Sequence, residues 1–274
     1  MSRELASHLI HDNFQNFKPY QIPKAQLVIA DIPYNVGQDA YGSNPTWYVG
    51  GDNRNGESDK AKSSFFRNDG QFKIAEYMHF CSTMLIKEPK ERGKAPAMII
   101  FCAWEQQSGL VELAKQYGFN GVIPITFIKD YSAQVLKANM KIVGATEYGL
   151  VFYRDKLPKF NNNGRMVFDY FRFPRDNVTP KIHPTQKPVP LLKELISLFT
   201  DVGDVVIDPV AGSGTTLIAA DELGRRAYGF ECDTGIYRKA KELLENHNTQ
   251  YDFFTQAEIN ALDKKKYEQA QLSF

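Results

Sequence analysis

The chain is poor in the residues that build metal and disulfide frameworks. Its three cysteines, Cys81, Cys102 and Cys232, lie far apart with no Cys-x-x-Cys pair, which argues against both disulfides and zinc. Its five histidines (His8, His11, His79, His183 and His247) are scattered, so no metal is expected. An excess of one charge is also missing. The net charge of +1 excludes a globally basic nucleic-acid binder and makes any such surface local. The longest uninterrupted apolar run, Ala97–Trp104, is too short to span a bilayer, and the first residues, MSRELASHLIHDN, lack the apolar core of a signal peptide. We therefore expect a cytoplasmic protein without a membrane partner. With 43% hydrophobic and 24% charged residues, the composition is ordinary for a globular chain. A length of 274 residues suits one α/β domain, 1–274, with insertions. Two phosphate-binding signatures are missing as well. No Gly-Lys-Ser/Thr ends a glycine turn, which excludes a P-loop, and the three-glycine dinucleotide pattern does not occur.

What the chain does contain is the stretch Val205–Glu231, VVIDPVAGSGTTLIAADELGRRAYGFE. Val205–Ile207 is a β-branched run suited to a buried strand. Pro209 breaks it, and Gly212 and Gly214 permit a sharp turn or close ligand approach. Thr215 to Leu223 has the composition of a helix, ended by Gly224 with Arg225 and Arg226 at its negative end. Arg226–Phe230 returns as a strand with Glu231 at its tip. This is a nucleotide-type βαβ unit, with an acid about 20 residues beyond the glycines to take paired ribose hydroxyls. Asp208, just before the turn, repels pyrophosphate but holds an ammonium group. A cofactor with an amino-acid end and a nucleoside end, such as S-adenosylmethionine, satisfies both.

A second stretch has the same form. Gln26–Ala30 is an apolar strand, and Asp31-Ile32-Pro33-Tyr34 stands at its end. A third, His183-Pro184-Thr185-Gln186-Lys187-Pro188, precedes the cofactor stretch. Together the segments DIPY, HPTQKP and DPVAGSGTT resemble the amino-methyltransferases of DNA. In their circularly permuted β group, the catalytic motif Asp/Asn/Ser-Pro-Pro-Tyr/Phe/Trp comes before the cofactor motif. The resemblance runs from about His8 to Leu244. It implies a mostly parallel, doubly wound α/β sheet, the Rossmann-like S-adenosylmethionine-dependent methyltransferase fold. It also implies DNA as partner, transfer to the exocyclic N6 of adenine, and catalytic residues Asp31, Ile32, Pro33 and Tyr34. Positions expected along the cofactor are Asp12, Asp31, His183, Thr185, Lys187, Asp208, Pro209, Ala211, Gly212, Gly214, Thr215 and Glu231. Lys187 is the one chemically suited to the cofactor's carboxylate. The resemblance further suggests a homodimer and a cognate restriction endonuclease. Ile32 departs from the family's usual proline.

Elsewhere, alternating strands and helices point to the same architecture. Helices are expected over Lys73–Lys87, Ser108–Tyr117, Val189–Thr200 and Thr234–Asn246. Strands are expected at Ser7–Ile10, Ala97–Cys102, Gly121–Ile128 and within Gly144–Tyr153, where Glu147 stands just ahead of the strand. Residues 35–72 lack apolar periodicity and read as a mobile loop insertion over the target base. The stretch Arg154 to Lys193 carries nine basic residues against three acids, interleaved with Phe160, Phe168, Tyr170, Phe171 and Phe173. Its first part, 154–182, is the expected target-recognition segment, with Arg154, Lys156, Lys159, Arg165, Arg172 and Arg175 meeting DNA.

The chemistry follows from the substrate. An exocyclic amino nitrogen has its lone pair delocalised into the ring. The Asp31 carboxylate and the Ile32 carbonyl are two acceptors able to localise it. Tyr34 stacks on a base rotated out of the duplex, and the transfer is direct, with no cysteine nucleophile. Two other readings stand beside this one. The same fold acts on cytosine N4 or on RNA in one; in the other, a degenerate pocket serves an inactive DNA-binding module.

Overall fold

The computed structural model describes residues 7–34, 72–130, 134–137, 142–183 and 185–251. The insertion expected at 35–72 falls, apart from Phe72, outside the described residues. Short apolar runs become the strands β1 (Ser7–Ile10), β2 (Leu27–Asp31), β3 (Ala97–Cys102), β4 (Gly121–Lys129), β5 (Gln134–Lys137), β6 (Ile142–Gly144), β7 (Thr146–Tyr153), β8 (Tyr170–Phe173), β9 (Val205–Asp208) and β10 (Arg226–Phe230). The helices are α1 (Ile74–Met84), α2 (Gln107–Gln116), α3 (Val189–Phe199), α4 (Thr215–Glu222) and α5 (Thr234–Tyr251). Among the described residues, eight strands form one sheet in the order β1-β10-β9-β2-β3-β7-β4-β8, and β5 pairs with β6 apart from it. Within the sheet β7 alone runs against its neighbours. The sheet is therefore mostly parallel, as expected.

Side-chain alternation along the central strands explains why helices cover both faces. Leu27, Ile29, Ala97, Ile99 and Phe101 point to one face and pack with α3 and α4. Val28, Ala30, Met98, Ile100 and Cys102 point to the other and pack with α1 and α2. Strands buried on both faces read as continuous apolar runs, and LVIA and AMIIFC have that form. Each fully buried aliphatic side chain contributes about 1.5–3 kcal/mol, so these strands fix the sheet's centre.

The order of the strands locates the site. From β9 the chain crosses through α4 to β10 on one side. From β2 it crosses through α1 to β3 on the other. β9 and β2 are adjacent and parallel, so the winding reverses between them. Ligands of such sheets bind outside the carboxyl ends at this switch point. The residues there are Asp208, last in β9, and Asp31, last in β2.

β8 had not been expected. Its residues Tyr170–Phe173 alternate exposed and buried, and Phe171 and Phe173 belong to the core. Two of the aromatics assigned to the DNA-facing segment thus complete the sheet instead. Pro124 lies within β4, in the part that β8, paired with Thr126–Lys129, does not cover.

The helix of the βαβ unit lies tight on the sheet because β10 carries Gly229. A Cβ there would stand 2.7 Å from Leu217 Cδ1 and 2.8 Å from the Ala211 Cβ. Gly229→Val should force α4 off the strand and cost about 1–3 kcal/mol. Thermal unfolding checks this, and an unchanged Tm would show that the contact yields.

Candidate active site

The carboxyl edge of the sheet carries a row of acids because four parallel strands each end in or just before one. Asp12 follows β1, Glu231 follows β10, and Asp208 and Asp31 close β9 and β2. The reversed strand β7 brings its start to the same edge, with Glu147 as its second residue rather than ahead of it as expected. There it faces Lys129 at the end of β4.

Beyond Asp208 the backbone turns through left-handed conformations at Gly212 (φ +53°) and Gly214 (φ +78°), which side chains disfavour. Gly214 N–H donates to the Ala211 carbonyl at 2.8 Å, and Ala211 N–H to the Phe230 carbonyl at 2.8 Å. The turn is thereby tied to β10. Gly212 N–H donates to Glu231 Oε2 at 3.0 Å, and Asp233 N–H to Oε1 at 2.7 Å. Cys232 N–H also donates to this carboxylate, which still leaves it lone-pair capacity for a ligand hydroxyl. Thr215 begins α4, buried, with its hydroxyl 3.4 Å from that of Ser213.

Asp208 is 4% exposed. Burial raises its pKa to about 7, partly offset by bonds from Thr216 and Val210, with the charges of Asp31 and Glu231 adding to the rise. Burial also raises Glu231 and Asp31. Three neighbouring acids with raised pKa values make a site that favours a cationic, hydrogen-bond-donating ligand. The ammonium and ribose hydroxyls of S-adenosylmethionine meet that demand.

The Asp31–Tyr34 turn is held from two sides. Ile32 is 1% exposed and packs into the core, and its N–H donates to the Phe101 carbonyl at 3.4 Å. Gln106 Nε2 donates to the Pro33 carbonyl at 2.9 Å, while Gln106 Oε1 accepts from Ala103 N–H at 3.0 Å. Nothing in the sequence reading marked Gln106; only its place one turn past β3 hints at this bracing. Asp31 Oδ2 accepts from Lys187 Nζ at 2.6 Å. Asp31 Oδ1 and the Tyr34 hydroxyl are shielded from solvent, and among the described residues neither has a partner in good hydrogen-bond geometry, although the hydroxyl lies close enough to favour the Asp31 charge. Lys187 Nζ also reaches Glu147 Oε2 at 3.3 Å and lies 5.9 Å from the centre of the Tyr34 ring.

Lys187, expected to meet the cofactor's carboxylate, thus has its ammonium on Asp31 in this structure. Burial alone would lower its pKa, but Asp31 and Glu147 hold it well above the ordinary lysine value. His183 and Thr185 face each other at 3.1 Å. Burial lowers the pKa of His183, and Lys187, Lys181 and Lys239 add to the drop. The HPTQKP segment thus lies near both halves of the rim, though Pro184 is outside the described residues. Asp12 turns its carboxylate to its own loop, accepting from Asn13 N–H, Asn16 and Tyr20 at 2.7–2.8 Å.

The basic segment divides. Arg154 donates to the Ile86 and Ser82 carbonyls at 3.0 Å. Lys156 donates to the Pro89 carbonyl at 2.7 Å. Lys159, buried, bridges Asp201 at 2.7 Å and Asp204 at 2.9 Å. These three were expected to meet DNA; the structure corrects that, because their charged ends tie chain segments together. Arg165, Arg172 and Arg175 are exposed. Near them Phe168 and Tyr170 stack at 5.3 Å, with Phe168 73% exposed. Lys159→Met should lower Tm by roughly 3–6 °C, for a loss of about 1–2 kcal/mol, with DNA affinity unchanged. Arg172→Ala should leave Tm alone but weaken DNA binding and lower its salt dependence by about one phosphate's worth. Melting curves and a salt series of binding isotherms separate the two, and a weakened affinity in the Lys159 variant alone would reverse the division.

Among the described residues no group of three His, Cys, Asp or Glu side chains is placed to hold a metal ion, and no helix is long and apolar enough to cross a membrane.

A doubly wound sheet with a glycine turn at its switch point, opposite an acid–proline–tyrosine turn, defines a nucleoside-cofactor transferase site. The chain belongs to the DNA methylase family, whose model matches residues 25–242. It is 27% identical over 261 residues to the DNA adenine methyltransferase YhdJ of Escherichia coli K12, covering 88% of this chain and 83% of that protein. A 72-residue stretch is 49% identical to the type II methyltransferase M.HindIII of Haemophilus influenzae, spanning 26% of this chain and 23% of the relative. Among solved structures, M1.HpyAVI in complex with SAM superposes with a TM-score of 0.64 at 21% identity, covering 87% of this chain and 98% of that one. The cytosine-N4-specific PvuII DNA methyltransferase superposes with a TM-score of 0.61 at 13% identity, covering 88% and 91%. These two likenesses establish the fold.

Proposed function

We propose that this protein transfers a methyl group from S-adenosylmethionine to the exocyclic N6 of adenine in DNA, at a specific site, on a base rotated out of the duplex. The observation that carries the reading is Asp31 Oδ1 at the switch point, shielded and without a hydrogen-bond partner in good geometry among the described residues. A buried acceptor without a donor costs about 1–3 kcal/mol, a cost that a substrate amino group removes.

Bound S-adenosylmethionine supplies an electrophilic methyl group on a cationic sulfur. Asp208 holds the ammonium end, the Gly212–Gly214 turn lets backbone approach it closely, and Glu231 takes the ribose hydroxyls. Asp31 Oδ1 accepts one hydrogen of the target amino group and the Ile32 carbonyl accepts the other, which localises the nitrogen lone pair. Gln106 keeps that carbonyl's turn in place through Pro33. As the nitrogen gains the methyl, the proton it loses leaves through Asp31. Tyr34 covers the face of the rotated base. Because the Ile32 side chain is packed in the core, the turn is held by packing where relatives use a second proline. Arg165, Arg172 and Arg175, with Phe168 and Tyr170, supply the DNA-facing part of residues 154–182.

The adenine assignment draws on Asp31 and on the name of the Escherichia coli relative. The likeness to the PvuII enzyme keeps cytosine N4 as the second reading. Expression in a methylation-free bacterial host, followed by modification-sensitive sequencing of its genome, tests this. N6-methyladenine at one short recurring motif is expected. Modified cytosine at such a motif would move the activity to N4, and an unmodified genome would count against methylation of DNA.

A further inference from the structure

The mechanism uses one oxygen of Asp31, and the structure shows what occupies the other. Lys129 Nζ pairs with Glu147 Oε1 at 2.7 Å, Glu147 Oε2 with Lys187 Nζ at 3.3 Å, and Lys187 Nζ with Asp31 Oδ2 at 2.6 Å. This is a row of alternating charge, with Lys129 and Lys187 side chains only 10% and 9% exposed. It starts on β4, passes through the second residue of β7 and the loop before α3, and ends on β2. We propose that Glu147 and Lys187 are positioning residues of the methyl-transfer site: Lys187, held by Glu147, fills Asp31 Oδ2 and leaves Oδ1 as the one carboxylate oxygen of Asp31 free to face the substrate amino group. This rests on the methyltransferase reading of the same site.

Asp31 and Glu147 are two carboxylates at one shielded spot. Without a cation between them one would hold a proton, and a protonated Asp31 would offer a donor where the substrate needs an acceptor. Lys187 lies between them and lets both stay ionised. Burial pushes Glu147 up, yet Lys187 and Lys129 outweigh it and leave its pKa lowered to about 2. Glu147 in turn keeps Lys187 from being drawn wholly into a neutral pair with Asp31. The two residues therefore act on Asp31 in opposite senses. The Lys187 charge and hydrogen bond lower its pKa, whereas the Glu147 charge raises it. The other groups bearing on Asp31 are the Tyr34 hydroxyl of its own turn, Cys102 at the end of β3 and Asp208 at the end of β9. None of these changes in the variants below.

The test is a titration of the Asp31 carboxyl carbon by NMR in protein labelled with carboxyl-carbon-13 aspartate, its signal assigned by its loss in Asp31→Asn. Single-turnover methylation of DNA at saturating cofactor is followed over the same pH range. Lys187→Gln should move the Asp31 midpoint up by about one pH unit, and Glu147→Gln should move it down by about one. Lys187→Arg should return the midpoint toward the wild-type value. The acid limb of the single-turnover rate should follow these midpoints, with kcat lowered about tenfold or more and KM for DNA little changed. A role in folding alone predicts no opposed movement. Midpoints that shift the same way, or do not move, overturn the inference. Should Lys187→Gln not fold, the downward movement in Glu147→Gln and the Lys187→Arg midpoint decide it. A wild type that methylates no DNA refutes the proposed function, while the NMR midpoints still decide the role of Glu147 and Lys187.

Discussion

Asp31→Ala lowers single-turnover methylation at saturating cofactor by about a hundred- to a thousandfold and leaves DNA affinity within a few-fold of wild type. The loss is that large because the amino nitrogen must become tetrahedral, and an acceptor aimed at its hydrogen is worth most in that transition state. The residue lies at the end of a strand fully enclosed by β9 and β3, so truncation leaves the backbone of the turn fixed. Ile32 stays packed and Gln106 stays bonded to Pro33. Lys187 loses its closest partner but keeps Glu147, so the fold survives. Quenched-flow transfer measured alongside filter binding separates the effects. A rate within tenfold of wild type would remove Asp31 from the chemistry.

Asp208→Asn gives the second large effect, with opposite consequences for affinity and stability. In the folded protein the carboxyl titrates at about 7, against an ordinary value of 3.8. A folded pKa above the unfolded one means that its contribution to stability is complete below about pH 4. That contribution is lost as pH rises through 7. At about 1.4 kcal/mol per unit, the cofactor-free protein at pH 8 forgoes about 4 kcal/mol by holding this group ionised. Asparagine cannot ionise and still accepts from Val210 N–H, the bond made at 3.1 Å by Asp208 Oδ1. The cofactor-free variant should therefore melt at or above the wild-type temperature at pH 8, and its Tm should vary less between pH 5 and pH 8. Cofactor affinity should fall about a hundredfold, because the counter-charge for an ammonium is gone. Melting curves across that range and calorimetric titration with S-adenosylmethionine check both halves. A variant that melts lower at pH 8 and binds normally would contradict the assignment of Asp208 on both counts.

The parts of the site that were legible in the sequence are those carried by local pattern. The run from Val205 to Glu231 specifies strand, left-handed turn, tight helix and returning strand within 27 residues, and each step has its own residue signal. Asp31 and Tyr34 were legible because a strand delivers them. Glu147 was visible only as an acid ahead of a strand. Its partners Lys129 and Lys187 lie 18 and 40 positions away, and no local spacing brings them together. The same limit misled the reading of Lys159. Counted along the chain it belongs to a basic stretch, but folding sets it between Asp201 and Asp204. Phe171 and Phe173 looked like base-stacking aromatics because charge patterning dominated their neighbourhood, although the alternation in YFRF is that of a strand.

The role of Asp31 in methylating DNA is decided by transfer of a labelled methyl group from S-adenosylmethionine to unmethylated DNA, followed by mass spectrometry of the digested nucleosides. N6-methyldeoxyadenosine is expected from the wild type, and at least a hundredfold more slowly from Asp31→Ala. Labelled product from the Asp31 variant at the wild-type rate, or no labelled nucleoside from a wild type that binds the cofactor, would contradict that role.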